Sequence, residues 1–144
     1  MSPDHIAVVL VDLNVILDVL TKREPHYHTS ALVWAHIEAG HIVGYLAAHS
    51  FTTLHYLLRR HLGTASATRA LGDVRGVFQV AAVDTNVIDR AIALGWSDFE
   101  DAVQVAAAEA VGADCVVTRN TADFCDASLP VLHPVDFPGA THLG

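Results

Sequence analysis

Two hydrophobic rhythms alternate along this chain. Short continuous apolar runs read as strands buried on both faces, and runs with a 3.6-residue period read as helices. The first run predicts a strand over 6–12. Leu13, Ile16, Leu17 and Leu20 then form one helical stripe, with Asp18 and Lys22 away from its centre. Glu24-Pro25 ends that helix, and a second helix over about 28–39 is closed by Gly40. Ile42 to Ala48 reads as a strand broken by Gly44. Ser50 is placed to cap a helix over 51–62 that stops at Gly63, and Thr64 to Val74 continues as another. Val77 to Val83 reads as a short strand, and Asp84 or Thr85 caps a helix ending near Gly95. Ser97 to Val111 is the clearest helix, with Ser97 and Glu100 as a capping box and Gly112 as its stop. Cys115 to Thr118 is the next strand, and Val131-Leu132 a last short edge strand.

Strands alternating with helices predict an α/β fold: a three-layer α/β/α sandwich around a mainly parallel sheet of four to five strands. The Ala- and Val-rich helix near 98–111 is apolar almost all round and should pack closely on the sheet. The expected organisation is one domain over 1–137, with the chain after Pro134 loosely held and 138–144 as a tail.

Composition narrows the class. At 144 residues, with 52% hydrophobic and 17% charged positions, the chain can bury a sizeable core. It has no apolar run of the ~18 to 20 residues a membrane span needs. Asp4 and His5 before the first strand lack the design of a signal peptide, so the expected location is cytoplasmic. Cys115 and Cys125 are read as reduced thiols. The net charge of −8 with only 8 basic residues argues against tight autonomous nucleic-acid binding.

The acids change the picture. Asp12-Leu-Asn14 follows the first strand, and Thr118-Arg-Asn120 with Asp123 follows a later one. Ser97-Asp-Phe-Glu-Asp101 opens the clearest helix between them. Ligands of parallel sheets bind beyond the carboxyl ends of the strands. Asp98 and Asp101, three residues apart, share a face of the first helical turn. Dipole compensation alone accounts for Asp98 and Glu100, but not for Asp101, which heads the buried face. Gathered carboxylates repel unless a cation joins them, and Mg²⁺ or Mn²⁺ takes such oxygen ligands. Phosphodiester hydrolysis is the chemistry that uses this arrangement.

Val11-Asp-Leu-Asn-Val-Ile-Leu17, Asp98-Phe-Glu-Asp-Ala102 and Val117-Thr-Arg-Asn-Thr-Ala-Asp-Phe124 resemble the three main motifs of the PIN-domain family, in order, over roughly 6–133. The resemblance implies a Mg²⁺- or Mn²⁺-dependent ribonuclease, most commonly the toxin of a VapBC-type toxin–antitoxin pair. It also implies an RNA substrate, a homodimer and a small antitoxin partner. Carried over by position, Asp12, Asp101 and Asp123 are the expected catalytic acids, and with Asp98 the expected metal ligands. Asn14, Thr118 and Asn120 are their expected polar companions. One departure stands out. Many members carry a Glu early in the helix that follows the second strand, and this chain offers Thr53 or His55 instead.

Other readings weigh less. His26 and His28 lack ligand partners close in sequence, and His55 is expected on the active-site side of its helix, where it could assist proton transfer. Arg59 and Arg60 read chiefly as a solvated face and secondarily as RNA-phosphate contacts. Trp34, Phe51, Tyr56 and Leu57 read as core or dimer contacts. A haloacid-dehalogenase-like phosphatase needs a second Asp where Asn14 stands and a downstream lysine, and Lys22 is the single lysine. A receiver-type phosphoacceptor fails on the same lysine. The non-enzymatic alternative is a PIN-fold module that binds a partner protein or RNA without cleaving it.

Overall fold

Among the described residues every sheet contact is parallel, and the order of the strands places the first one at the centre. The structure is a computed structural model, and it describes residues 6–137. β1 (Val8–Val11), β2 (Val43–Ala47), β3 (Gln79–Ala81), β4 (Cys115–Val117) and β5 (Val131–Leu132) lie in the order β3-β2-β1-β4-β5. Leu10 is registered between Tyr45 of β2 and Val116 of β4. The chain winds outward from β1 in both directions, so the strand order switches between β1 and β4. That is where a cleft opens at the carboxyl ends of an open parallel sheet.

Among the described residues six α-helices cover the two faces: α1 (Leu13–Leu20), α2 (Tyr27–Glu38), α3 (Ala48–Leu62), α4 (Thr64–Val77), α5 (Thr85–Leu94) and α6 (Phe99–Ala110). Side chains of a strand alternate between faces. Val9 and Val11 therefore join Val15, Ile16, Val33, Leu54 and Leu58 on one side. Leu10 joins Ala47, Val87, Ala102, Val105 and Ala106 on the other. The result is the expected α/β/α sandwich, with five strands. α6 is buried continuously from Asp101 to Ala108, because Ala and Val allow it to sit close on the sheet.

Local differences have physical reasons. Gly44 does not break β2; it is buried within it, and a Cβ there would come within 2.6 Å of Ile37. It admits α2 to the sheet. α3 begins at Ala48, with Ala47 as its N-cap, so Ser50 is not a cap but a buried residue of the first turn. α6 is capped by Asp98, whose carboxylate accepts the Asp101 amide at 3.1 Å, rather than by Ser97. α4 extends to Val77, leaving β3 shorter than expected. Asp18 does not lie away from the packed side of α1 but is fully buried, where its Oδ2 accepts from both Arg119 and Ser30 and its Oδ1 has no partner among the described residues. Pro134–Asp136 forms a 3₁₀ turn, and Phe137 is buried in the core, so the chain just past Pro134 is held. The predicted tail, 138–144, lies outside the described residues. No helix among the described residues is long and apolar enough to cross a membrane.

Candidate active site

β1 ends directly into α1, and this places Asp12 as the N-cap at the carboxyl edge of the central strand. Asp12 has 8% exposure, and its two oxygens are used by different elements. Oδ2 accepts the Thr118 hydroxyl at 2.7 Å and the Asn14 amide at 3.3 Å. Oδ1 accepts Nε2 of Gln104, from α6, at 3.2 Å. Thr118 lies just past β4, fully buried, and its hydroxyl oxygen also accepts the Asn120 backbone amide at 3.0 Å. A single hydroxyl thus fixes both the first acid and the loop that leads to Asp123.

Asp101 has the same low exposure as Asp12 and faces the cleft from the first turn of α6. Burial, reinforced by the negative charges of Asp98, Glu100 and Asp12, pushes its carboxyl up to about 7. Asp12 is also raised, first by burial, although its bonds from Thr118 and Gln104 oppose that. Neither carboxylate is paired with a Lys or Arg among the described residues. Asp98, Asp101, Asp123 and Asp126 line one cleft of about 730 Å³, with Trp96 and Ala122 in its wall. Asp123 sits there on the 3₁₀ turn Thr121–Phe124, and Asn120 is its exposed N-cap.

The donor set suits a hard divalent cation. Besides the carboxylates, the amide oxygens of Asn14 and Gln104 are buried without a hydrogen-bond partner, while their nitrogens point at acids. Among the described residues, no three His, Cys, Asp or Glu side chains converge tightly enough to enclose an ion by themselves. Mg²⁺ is commonly held by one or two carboxylates with water completing its shell, so the open arrangement still accommodates it.

α3 contributes differently from expectation. His55 does not face the acids: its Nε2 lies 3.5 Å from the Thr68 hydroxyl, in a groove between α3 and α4. Six residues earlier on the same helix, His49 reaches the cluster instead. Its Nε2 is 2.6 Å from Oε2 of Glu100, whose Oε1 accepts the other hydrogen of the Gln104 amide at 3.2 Å. Thr53 is exposed on α3, and its hydroxyl makes only a long 3.5 Å contact with the His49 carbonyl. Arg59 and Arg60 stay on the outer surface, each 5.8 Å from the Tyr56 ring centre.

Three contributors escaped the sequence reading. Gln104 had a visible signal, as the one polar residue between Ala102 and Ala108 of α6, four residues after Glu100. His49 had none, because its partner is 51 residues away. The ion pair of Arg119 with buried Asp18, at 2.6 Å, anchors the residue between Thr118 and Asn120 to α1, and was equally silent.

The PIN domain family model matches residues 8–122. No curated protein matches the sequence. Solved structures with the same fold include VapBC-1 of nontypeable Haemophilus influenzae, 12% identical, TM-score 0.69, covering 90% of this chain and 99% of that one. A toxin–antitoxin complex of Klebsiella pneumoniae is 21% identical, with TM-score 0.66 over 88% of this chain and 97% of that one. VapC20 of Mycobacterium tuberculosis, a sarcin-ricin-loop-cleaving toxin, is 22% identical, with TM-score 0.60 over 75% and 86%. The family match spans most of the chain and includes β1, β4 and the helix that carries Asp101, so this protein belongs to the PIN domain family.

Proposed function

We propose that this protein is a metal-dependent endoribonuclease, the toxin of a type II toxin–antitoxin pair. In this reading it acts as a homodimer in the cytoplasm until a small cognate antitoxin neutralises it. The observation that carries the reading is the pair Asp12 and Asp101. They are two nearly buried carboxylates from different elements, at the strand-order switch, and neither is paired with a Lys or Arg among the described residues. Membership of the PIN family and the likeness to toxins of known complexes support it.

Asp12, Asp101 and Asp123 would hold Mg²⁺ or Mn²⁺, with Asp98 and Asn120 as additional or water-mediated ligands. The bound cation would supply acidity to a water and positive charge to the phosphoryl oxygens. Thr118 and Gln104 keep each oxygen of Asp12 in place, which limits the reorganisation the site must undergo. Asn14 fixes Asp12 from its own side and retains a free amide oxygen.

A second reading has one observation in its favour. α3 brings no carboxylate to the cluster, only His49, which leaves room for a PIN module that binds without cleaving. Induced expression in a bacterial host separates the two. The nuclease reading predicts growth arrest with cleaved RNA termini detectable by primer extension, both abolished by Asp12→Asn. Arrest that persists in Asp12→Asn, without new RNA ends, would support the binding module.

A further inference from the structure

The acids occupy the carboxyl edge of the sheet, and the amino edge carries a different pair of ligand-bearing side chains. After α2 the chain turns back through Gly40, at φ +82°, and enters β2 at Val43. Gly40 donates its amide to the Ile37 carbonyl at 3.0 Å, and His41 donates to the His36 carbonyl at 3.1 Å. These two bonds form the Schellman close of a helix, which brings the residue after the glycine over the last turn. An apolar contact usually fills that place. Here two imidazoles fill it.

Nδ1 of His36 and Nδ1 of His41 are 3.2 Å apart, with ring centres at 5.4 Å. His36 is half-buried and rests against the ring of Phe137, a core residue, with centres 6.1 Å apart. Its Nε2 is buried without a hydrogen-bond partner, so Nδ1 is the nitrogen it offers outward. His41 is exposed, and its ring is free to adjust to that nitrogen. Two imidazole nitrogens held on one ion at about 2.0–2.1 Å, at angles between square and tetrahedral, lie about 2.9–3.4 Å apart. The observed spacing falls within that range.

We propose that His36 and His41 form a second cation site, for a divalent transition metal of borderline softness: Zn²⁺, Ni²⁺ or Cu²⁺. Imidazole suits these ions, whereas Mg²⁺ and Mn²⁺ favour oxygen ligands, so the two edges of the sheet select different metals. The ion replaces the hydrogen bond between the two Nδ1 atoms. The ring that donated there takes its proton at Nε2 instead, and both rings stay neutral. Among the described residues no third His, Cys, Asp or Glu joins them, so water fills the remaining positions and the ion stays exchangeable. Bound metal ties the last turn of α2 to the residues that lead into β2, and stabilises the fold by mass action. The site is independent of the nuclease reading.

The test titrates the untagged full chain with Ni²⁺ and with Zn²⁺ by calorimetry, in excess Mg²⁺ to keep the acids occupied. Both ions should bind, and both should raise the melting temperature. His36→Ala and His41→Ala should each weaken binding by roughly tenfold or more, and the double variant should lose little beyond either single one. His41 is exposed, so His41→Ala keeps the fold and remains decisive if His36→Ala destabilises the core contact with Phe137. His28→Ala is the control, since His28 stands elsewhere on the surface, 4.0 Å from Glu24, and its loss should leave binding unchanged. No binding of either ion, unchanged affinity in His41→Ala, or an equal loss in His28→Ala would overturn the site.

Discussion

His49 and Glu100 join the first turn of α3 to the first turn of α6 through a 2.6 Å contact between Nε2 and Oε2. The pair stands beside the acids, because Gln104 donates to Glu100 and to Asp12 from the same amide nitrogen. Glu100 is thereby kept close to the cluster, and its charge contributes to raising both Asp12 and Asp101. His49→Ala should release Glu100 and lower turnover several-fold. Because both side chains are partly exposed, global stability should change by less than about 1 kcal/mol. Kinetics and a urea melt on the same variant check both halves.

Asp101 makes stability depend on pH in a defined direction. Its carboxyl is raised from 3.8 to about 7, so between those values the folded state holds a proton that the unfolded chain has lost. Stability of the metal-free protein is therefore greatest at the acid end of that window and declines as pH rises towards 7. Asp12 is shifted in the same direction. Asp101→Asn should flatten the decline and stabilise the metal-free protein at pH 8 by roughly 1–2 kcal/mol, a figure reduced for screening in the open cleft. Thermal melts in EDTA at acid and alkaline pH measure this. Added Mn²⁺ should raise the alkaline melting temperature of the unmodified protein but not that of the variant.

Arg119 and Asp18 should behave as a buried pair. Asp18 is fully buried, and Arg119 supplies its charge partner. Arg119→Met leaves that carboxylate uncompensated and should cost about 3 kcal/mol or more, whereas Arg119→Met with Asp18→Asn should recover much of the loss. Urea denaturation of the single and double variants gives the coupling directly.

Gly44 is needed for space. A Cβ would lie 2.6 and 2.9 Å from two carbon atoms of Ile37, so Gly44→Ala should destabilise by about 1–3 kcal/mol. Combining it with Ile37→Val should restore part of that, since one of the two carbons in the way, Cδ1, is removed. Equal loss in single and double variants would show that the crowding lies elsewhere.

The fold was legible wherever periodicity and burial coincide. The continuous runs Val8–Val11 and Cys115–Val117 became the two central strands, and Ala102 to Ala108 the buried helix beside them. Caps were less legible where two polar residues compete, as Ser97 and Asp98 do. The nearer carboxylate won because it both accepts an amide hydrogen and carries charge at the helix N-terminus. Asp12, Asp101 and Thr118 stood out by their place at element ends, and the structure brings them to one edge of the sheet. His55 was misplaced because helical rotation about α3 depends on where the helix starts, and Ala48 starts it earlier than Ser50 suggested. Asp18, Arg119, His49 and Glu100 form pairs distant in sequence, which no local pattern reveals.

The central claim is that Asp12 and Asp101 gather a divalent cation to cleave RNA. The most direct measurement is cleavage of a structured RNA with single-stranded loops by the purified protein across Mn²⁺ and Mg²⁺ titrations, with EDTA and Asp101→Asn alongside. The account predicts cleavage that rises with either ion, stops in EDTA and falls at least a hundredfold in the variant. Cleavage that survives EDTA, or full activity in Asp101→Asn, would contradict it.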